Sequence, residues 1–367
     1  MKKQPIYEEV TEIINSTTAD FLHSIKDPVA HSLIETFFLR DCAEYFSKVR
    51  DVEISLENNA ISDDHAASIL FTVTRDVLKT GDDLKNELDN IGKTGLIEKV
   101  KDIFRKTGIR WGKRSELLSH AFLKPRGYAG DYIIIEKIYE NRSQASGFSF
   151  CADRAFLDDD YAIAVRSRME KMKEALLEYT RENASETVHI VNMACGSCRE
   201  IRLLLEDTAF PVENNITFTL IDQDEEALDY SREKIDKLLY GNIYVEYVQQ
   251  SIYHYIENPE NHYKELEGAD LIYSIGLADY LPDEALKKFV SFSYSRLKTG
   301  GTLVIAHKDS INYNPLSADW WCNWTFHLRN EEEVVSLINN SGIKDFHLSV
   351  EREDTTNIIL FIKIKKN

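Results

Sequence analysis

Apolar residues in the first third of the chain recur with a helical period. Ile13, Phe21, Leu22, Ile25, Leu33, Ile34, Phe37 and Phe38 fall at helical spacings, and so do Ile69, Leu70, Val73, Val77 and Leu78. No stretch between residues 6 and about 118 alternates as a strand does. Asp63, Asp64 and His65 ahead of AASILFTVTRDVL mark a helix start. The pattern predicts five or six helices whose apolar faces form a core or meet a partner helix.

Beyond residue 160 the period changes. Ile163, Val165, Met169, Met172, Leu176 and Leu177 lie mostly on one face of a helix over 160–181. Short β-branched runs then alternate with helical ones. Strands are expected at 188–193, 216–221, 243–248, 270–274 and 302–307, and the last two at 346–352 and 357–364. Helices are expected at 225–239, after Pro282 and at 331–341, with Gly300-Gly301 turning the chain into the fifth strand. This alternation predicts an α/β domain with a parallel sheet. The expected division is a helical region 1–149 and an α/β domain 150–367.

Composition narrows the class. The chain has 367 residues, 43% hydrophobic and 29% charged, which is the balance of a globular protein with room for two domains. The formal charge is −18, with most of the acid excess after residue 150, which disfavours a general nucleic-acid binder. No run approaches the ~20 apolar residues of a membrane span. Met1-Lys2-Lys3 is followed by polar, acidic sequence, not by an apolar signal region. The five cysteines, Cys42, Cys151, Cys195, Cys198 and Cys322, are scattered and odd in number, so a cytoplasmic location is expected. Cys195 and Cys198 form a CxxC, but no second pair or nearby His completes a zinc site.

Two stretches concentrate candidate chemistry. VHIVNMACGSCREI, residues 188–201, reads as strand, tight loop and helix, the place where open α/β sheets bind nucleotide-like ligands. The next strand ends on Asp222, whose carboxylate can accept from both hydroxyls of an adenosine ribose. Ala194 and Cys198 hinder the close approach a pyrophosphate needs, so NAD is disfavoured. The second stretch, HAFLKPRGYAGDY, crowds His120, Lys124, Arg126, Tyr128 and Asp131 among Pro125, Gly127 and Gly130, a density that structural punctuation does not need. Between them in character is KVKDIFRKTGIRWGKR, residues 99–114, a solvated helix face or a local anion site walled by Trp111.

NMACGSCRE followed by TLIDQDEEALDYSREK resembles motifs I and II of the class I S-adenosylmethionine (SAM) dependent methyltransferases. The family loop is acidic-x-Gly-x-Gly-x-Gly, and the corresponding positions here are Asn192, Ala194, Gly196 and Cys198. The KPRGYAGDY segment resembles bacterial synthases of 3-hydroxy fatty acid methyl esters, over roughly residue 124 to the C-terminus. The resemblance implies a Rossmann-like methyltransferase sheet with an N-terminal helical cap, and SAM as cofactor. It implies a loop contact from Asn192, Ala194, Cys195 and Gly196, adenine contacts from Gln250, Ser251 and Ile252, and a reaction edge at Ser274 and Gly276. Arg166 or Arg168, placed just ahead of the first strand, is expected near the methionine carboxylate.

Candidate catalytic residues are Arg126, Tyr128, Asp131 and His307; candidate substrate contacts are His120, Lys124, Asp279, Tyr280 and Trp324, the last within an aromatic cluster with Trp320, Trp321 and Phe326. A carboxylate acceptor needs only positioning, whereas a hydroxyl or amine needs a base, for which His307, His120 and Asp131 are the candidates. The expected partner is a small-molecule substrate, without nucleic acid or a membrane span and with a homodimer left open. A SAM-binding regulator without activity is the competing reading.

Overall fold

The computed structural model describes residues 3–183, 187–210 and 215–367. The chain divides into two compact units. One holds residues 1–162 together with 315–325, and the other holds 163–314 and 326–367. The division thus falls at 162/163 rather than 149/150, and a short segment far along the chain belongs with the helices.

The sheet unit carries seven strands: β1 Thr187–Met193, β2 Asn215–Asp222, β3 Ile243–Gln249, β4 Ala269–Ser274, β5 Leu297–Lys308, β6 Phe346–Arg352 and β7 Ile359–Lys366. Their order is β3-β2-β1-β4-β5-β7-β6. β1 to β5 are parallel, whereas β7 runs antiparallel to both β5 and β6. The reversal of order between β1 and β4 opens a crevice at their carboxyl ends, the place where such sheets take ligands. Ile190, Val191, Phe218, Leu220, Ile272, Leu303 and Phe361 are buried along the central strands. Gly300 and Gly301 lie inside β5 instead of before it, and the β4–β5 register shifts there.

The helical unit is built on Lys3–Ser24, Pro28–Thr36, Ala43–Glu57, Asp63–Asn90, Ile97–Gly112, Glu116–Leu123, Tyr132–Glu140 and Gly147–Leu157. The helix start expected at Asp63 is capped by Ser62, whose hydroxyl accepts from the His65 amide at 3.3 Å. Phe38, Phe46, Phe104 and Trp320 are at the centre of its core. Trp320 and Trp321 enter this core from the helix Leu316–Cys322, and glycines on two other helices admit them. A Cβ on Gly81 would lie 2.4 Å from Trp320 Cζ2, and one on Gly108 would lie 2.5 Å from Trp321 Cη2.

The basic stretch explains the rest of this attachment. Lys101 pairs with Asp319 at 2.5 Å, and Arg105 donates to the carbonyls of Asp319 and Trp320 at 3.1 and 3.2 Å. Arg110 pairs with Glu9 at 3.0 Å, and Arg114 with Glu53. These four charges are engaged in holding helices and the 315–325 segment together, which corrects the local anion-site alternative for them.

Candidate active site

The loop after β1 follows a path that its residues do not favour. Ala194, Gly196 and Cys198 have φ of 60°, 54° and 50°, so alternate residues take the left-handed conformation. Only glycine does so without penalty; Ala and Cys each cost roughly 1–2 kcal/mol. These are the three positions at which the resembled loop carries glycine. Hydrogen bonds hold the strained path in place. Cys195 N donates to Ile221 O at 2.9 Å, Gly196 N donates to Asp222 Oδ2 at 2.8 Å, and Ser231 Oγ donates to Gly196 O at 2.9 Å. Strain that the surroundings over-determine in this way is characteristic of ligand sites.

Asp222 is the anchor of this arrangement. Its other oxygen accepts from Asp224 N at 3.0 Å, and its own carbonyl accepts from Gln250 N at 2.9 Å. The loop, the end of β2 and the end of β3 are thereby tied together. Burial pushes the Asp222 carboxyl up, against the backbone donors. At the end of β3, Ser251 Oγ accepts from Tyr253 N at 3.3 Å and caps the helix Ile252–Glu257, while Gln250 Oε1 accepts from Ser251 N at 3.0 Å. Ile252 is buried beside them.

Beneath the loop lies a polar cluster that motif spacing did not reveal. Asn192 Nδ2 and Tyr273 Oη both donate to Glu200 Oε1, at 2.9 and 2.8 Å. Burial raises the Glu200 carboxyl. Asn192 Oδ1 and Ser197 Oγ are buried with no hydrogen-bond partner among the described residues. A buried acceptor left unsatisfied costs about 1–3 kcal/mol, so a donor arriving here would be retained. Ser274 is spent differently, donating to Met193 O at 2.6 Å and closing the end of β1.

At the carboxyl ends of β4 and β5, the structure brings Asp279 and His307 together and adds Lys308. His307 Nδ1 is 2.8 Å from Asp279 Oδ1, off the hydrogen-bond direction, while Lys308 N donates to that oxygen at 2.7 Å. Lys308 Nζ pairs with Asp279 Oδ2 and stands 4.1 Å from the centre of the Phe326 ring. All three side chains are at most 2% exposed. His307 Nε2 is buried without a hydrogen-bond partner among the described residues. The Arg168 guanidinium is buried nearby, 4.0 Å from where a Cβ on Gly276 would stand.

Burial and the neighbouring charges oppose one another in this cluster. Burial alone would raise the Asp279 carboxyl, yet Lys308 and His307 hold it well below its usual range. Burial also lowers the Lys308 ammonium; Asp279 opposes this and Arg168 adds to it. An isolated ion pair would lower the acid and raise the base. Here burial outweighs the Asp279 carboxylate at Lys308, so both partners move down. Tyr280 completes the edge, its ring 5.6 Å from that of Phe326.

The candidates of the helical unit have their own partners. Asp131 is fully buried, accepts from the amides of Ile133 and Ile134 at 3.0 Å each, and meets His120 Nε2 at 2.7 Å. It is a helix cap with an imidazole partner, not a solvent-facing base. Lys124, itself left-handed at φ 48°, donates to Asn323 O at 2.7 Å. Arg126 lies over the Tyr132 ring at 5.3 Å, and Tyr128 is half-buried in the same loop. Trp324 is buried, edge-on to Tyr161 at 5.0 Å.

No family profile and no curated protein matches the sequence. Solved structures do. The chain is similar to the crystal structure of a possible exported protein from Bordetella parapertussis, with a TM-score of 0.54 and 20% identity over 71% of this chain and 87% of that one. The fold is that of the class I methyltransferases. Magnesium protoporphyrin IX methyltransferase (ChlM) from Synechocystis PCC 6803 with bound SAM gives a TM-score of 0.43 and 9% identity, covering 64% and 91% of the two chains. N-methyltransferase NodS from Bradyrhizobium japonicum WM9 gives 0.37 and 13%, covering 54% and 96%. Among the described residues, no helix is long and apolar enough to cross a membrane.

Proposed function

We propose that this chain is a SAM-dependent methyltransferase acting on a small organic acceptor. The observation that carries the reading is the triple left-handed loop fastened to Asp222: a backbone held at a cost in the conformation a glycine-rich cofactor loop takes, with an acidic side chain at its mouth. The residues fit the cofactor. Asp222 keeps unused lone pairs for hydroxyl donors, Asn192 Oδ1 is an orphaned buried acceptor, and Ile252 offers an apolar surface. When bound, SAM supplies an electrophilic methyl group on a sulfonium.

The chain's own part is to exclude water and to orient the acceptor, which contributes most of the rate in a displacement of this type. A small carboxylate is the first choice of acceptor. It needs no base, and the resemblance of the KPRGYAGDY loop together with its Lys124, Arg126 and Tyr128 donors supports it. A second reading rests on the Asp279–His307 contact. A carboxylate beside Nδ1, with Nε2 left without a hydrogen-bond partner among the described residues, supports an imidazole that takes the proton of a hydroxyl or amine acceptor. The five free, buried thiols support a cytoplasmic location.

Turnover measured with purified organic acids, alcohols and amines separates the readings. For a carboxylate, Arg126→Ala raises the acceptor's KM and lowers kcat, while His307→Ala has the milder effect. Abolition of turnover by His307→Ala, with a rate that rises through a single ionisation in wild type, selects the proton-bearing acceptor instead.

A further inference from the structure

The sheet ends on a strand that lacks the usual protection of an edge. β6 is the last in the order and pairs with β7 alone among the described residues. Edge strands are ordinarily blunted by proline, lysine, a bulge or short length, because an open row of amides and carbonyls is a template for another chain. β6 reads FHLSVER, without proline or lysine, and its ladder with β7 runs from Phe346 to Arg352 without a shift in register. Both ends are defined. Asp345 is left-handed at φ 56°, and Glu353 turns the chain by accepting from the amides of Thr355 and Thr356. Asn367 N donates to Asp345 O and Glu353 N donates to Ile359 O, each at 2.9 Å. Bonded and unbonded residues alternate along an antiparallel ladder, so Phe346, Leu348, Val350 and Arg352 turn their amides and carbonyls to the open edge.

We propose that β6 pairs antiparallel with β6 of a second copy of this chain about a two-fold axis at Ser349, joining two sheets into one. The outward groups require even-numbered residues to face even-numbered ones, and this register does so. Leu348 faces the partner's Val350, and Phe346 faces the partner's Arg352. Between them His347 faces the partner's Glu351, and Ser349 faces its own copy. Apolar thus meets apolar and an imidazole donor meets a carboxylate, the pairings that stabilise neighbouring strands. Glu351 holds Lys363 at 2.8 Å and Lys171 at 3.7 Å, yet its side chain is 45% exposed and keeps room for another donor. Leu348 and Val350 pack against the core of the sheet unit and are only partly buried, so a facing copy covers what they leave exposed. Charge selects this edge over the other. With −18 on the chain a second copy is repelled by most of the surface, whereas beside β6 Lys363, Lys365 and Lys366 offset Glu351. At the opposite edge β3 carries Glu246 in mid-strand, where the same symmetry would set two carboxylates face to face. The interface is independent of the methyltransferase reading and needs no cofactor.

Sedimentation equilibrium of the full chain between about 1 and 100 μM tests it, the range in which an interface of modest area associates. The expected result is a reversible monomer–dimer equilibrium. Ser349→Glu faces Lys363 within its own chain, which favours the fold, but brings two carboxylates together at the axis. It is expected to weaken the dimer at least about tenfold. Cysteine cross-linking tests the register and stays decisive even where a charge at the axis disturbs folding. Facing residues outside the hydrogen-bonded pairs have Cα atoms about 4.5 Å apart, within reach of a disulfide. Ser349→Cys is therefore expected to give a covalent dimer on treatment with diamide, whereas His347→Cys, which faces the partner's Glu351, is not. The five native cysteines are buried, so the wild type is the control without cross-links. A monomer throughout the concentration range, an unchanged dimer constant in Ser349→Glu, or cross-linking of His347→Cys as readily as of Ser349→Cys overturns the proposal.

Discussion

Asp279→Asn removes the single negative charge that His307 and Lys308 share, while preserving the shape of the side chain and an oxygen for Lys308 N. The two basic groups then remain at most 2% exposed and lose the carboxylate that lies between them. Breaking a buried pair from one side costs about 3–5 kcal/mol, because the surviving charge stays desolvated. The loss should be smaller in Asp279→Asn/Lys308→Met, since removing both members of a buried pair is often nearly neutral. The difference between the single and double substitutions is the coupling energy, and urea unfolding followed by circular dichroism measures it.

The same group fixes a pH dependence. Its folded pKa lies below the unfolded value, so the stability it contributes is present above the unfolded pKa of about 3.9 and is lost as pH falls toward the folded value. The gap between wild type and Asp279→Asn should therefore narrow on acidification below about pH 4. A single substitution costing under about 1 kcal/mol, or a double no more stable than the single, would refute the buried-charge account.

Two further substitutions probe the loop and the helical unit. Ala194→Gly relieves a left-handed residue at about 1–2 kcal/mol and loses roughly 0.5–1 kcal/mol to the flexibility of glycine, so it should stabilise the protein by up to about 1 kcal/mol in urea unfolding; destabilisation would show that this φ value carries no strain. Gly81→Ala should destabilise by about 1–3 kcal/mol despite the better helix propensity of alanine, because its Cβ meets the Trp320 ring; a rise in melting temperature would contradict that packing.

The strands, their order of appearance and the two chemically dense loops were legible because burial repeats with a fixed period and because a strand ending on Asp222 leaves a local signature. What escaped depends on partners distant in sequence. Residues 315–325 join the helical unit through holes made by Gly81 and Gly108 and through Lys101 and Arg105, and nothing local to Trp320 announces those contacts. Lys308 follows His307 at the end of an apolar run, where a lysine ordinarily reaches water, so its burial against Asp279 could not be read from spacing. Asp131 and Trp324 stood out as functional types, and their contacts as a helix cap and a core ring could not be read from the sequence. The left-handed path of the loop after β1 was hidden because Ala194 and Cys198 carry no sign of it in their side chains.

Calorimetric titration of SAM into the full chain and into Asp222→Asn tests the central claim most directly. Asp222 holds the loop through Gly196 N, and the proposal assigns its remaining lone pairs to the ligand. Losing its charge removes charge-assisted hydrogen bonds worth about 1.5–3 kcal/mol each. The account predicts a single SAM site in wild type, weakened at least about tenfold in the folded variant. Absence of SAM binding to wild type, or equal affinity in the two proteins, would contradict it.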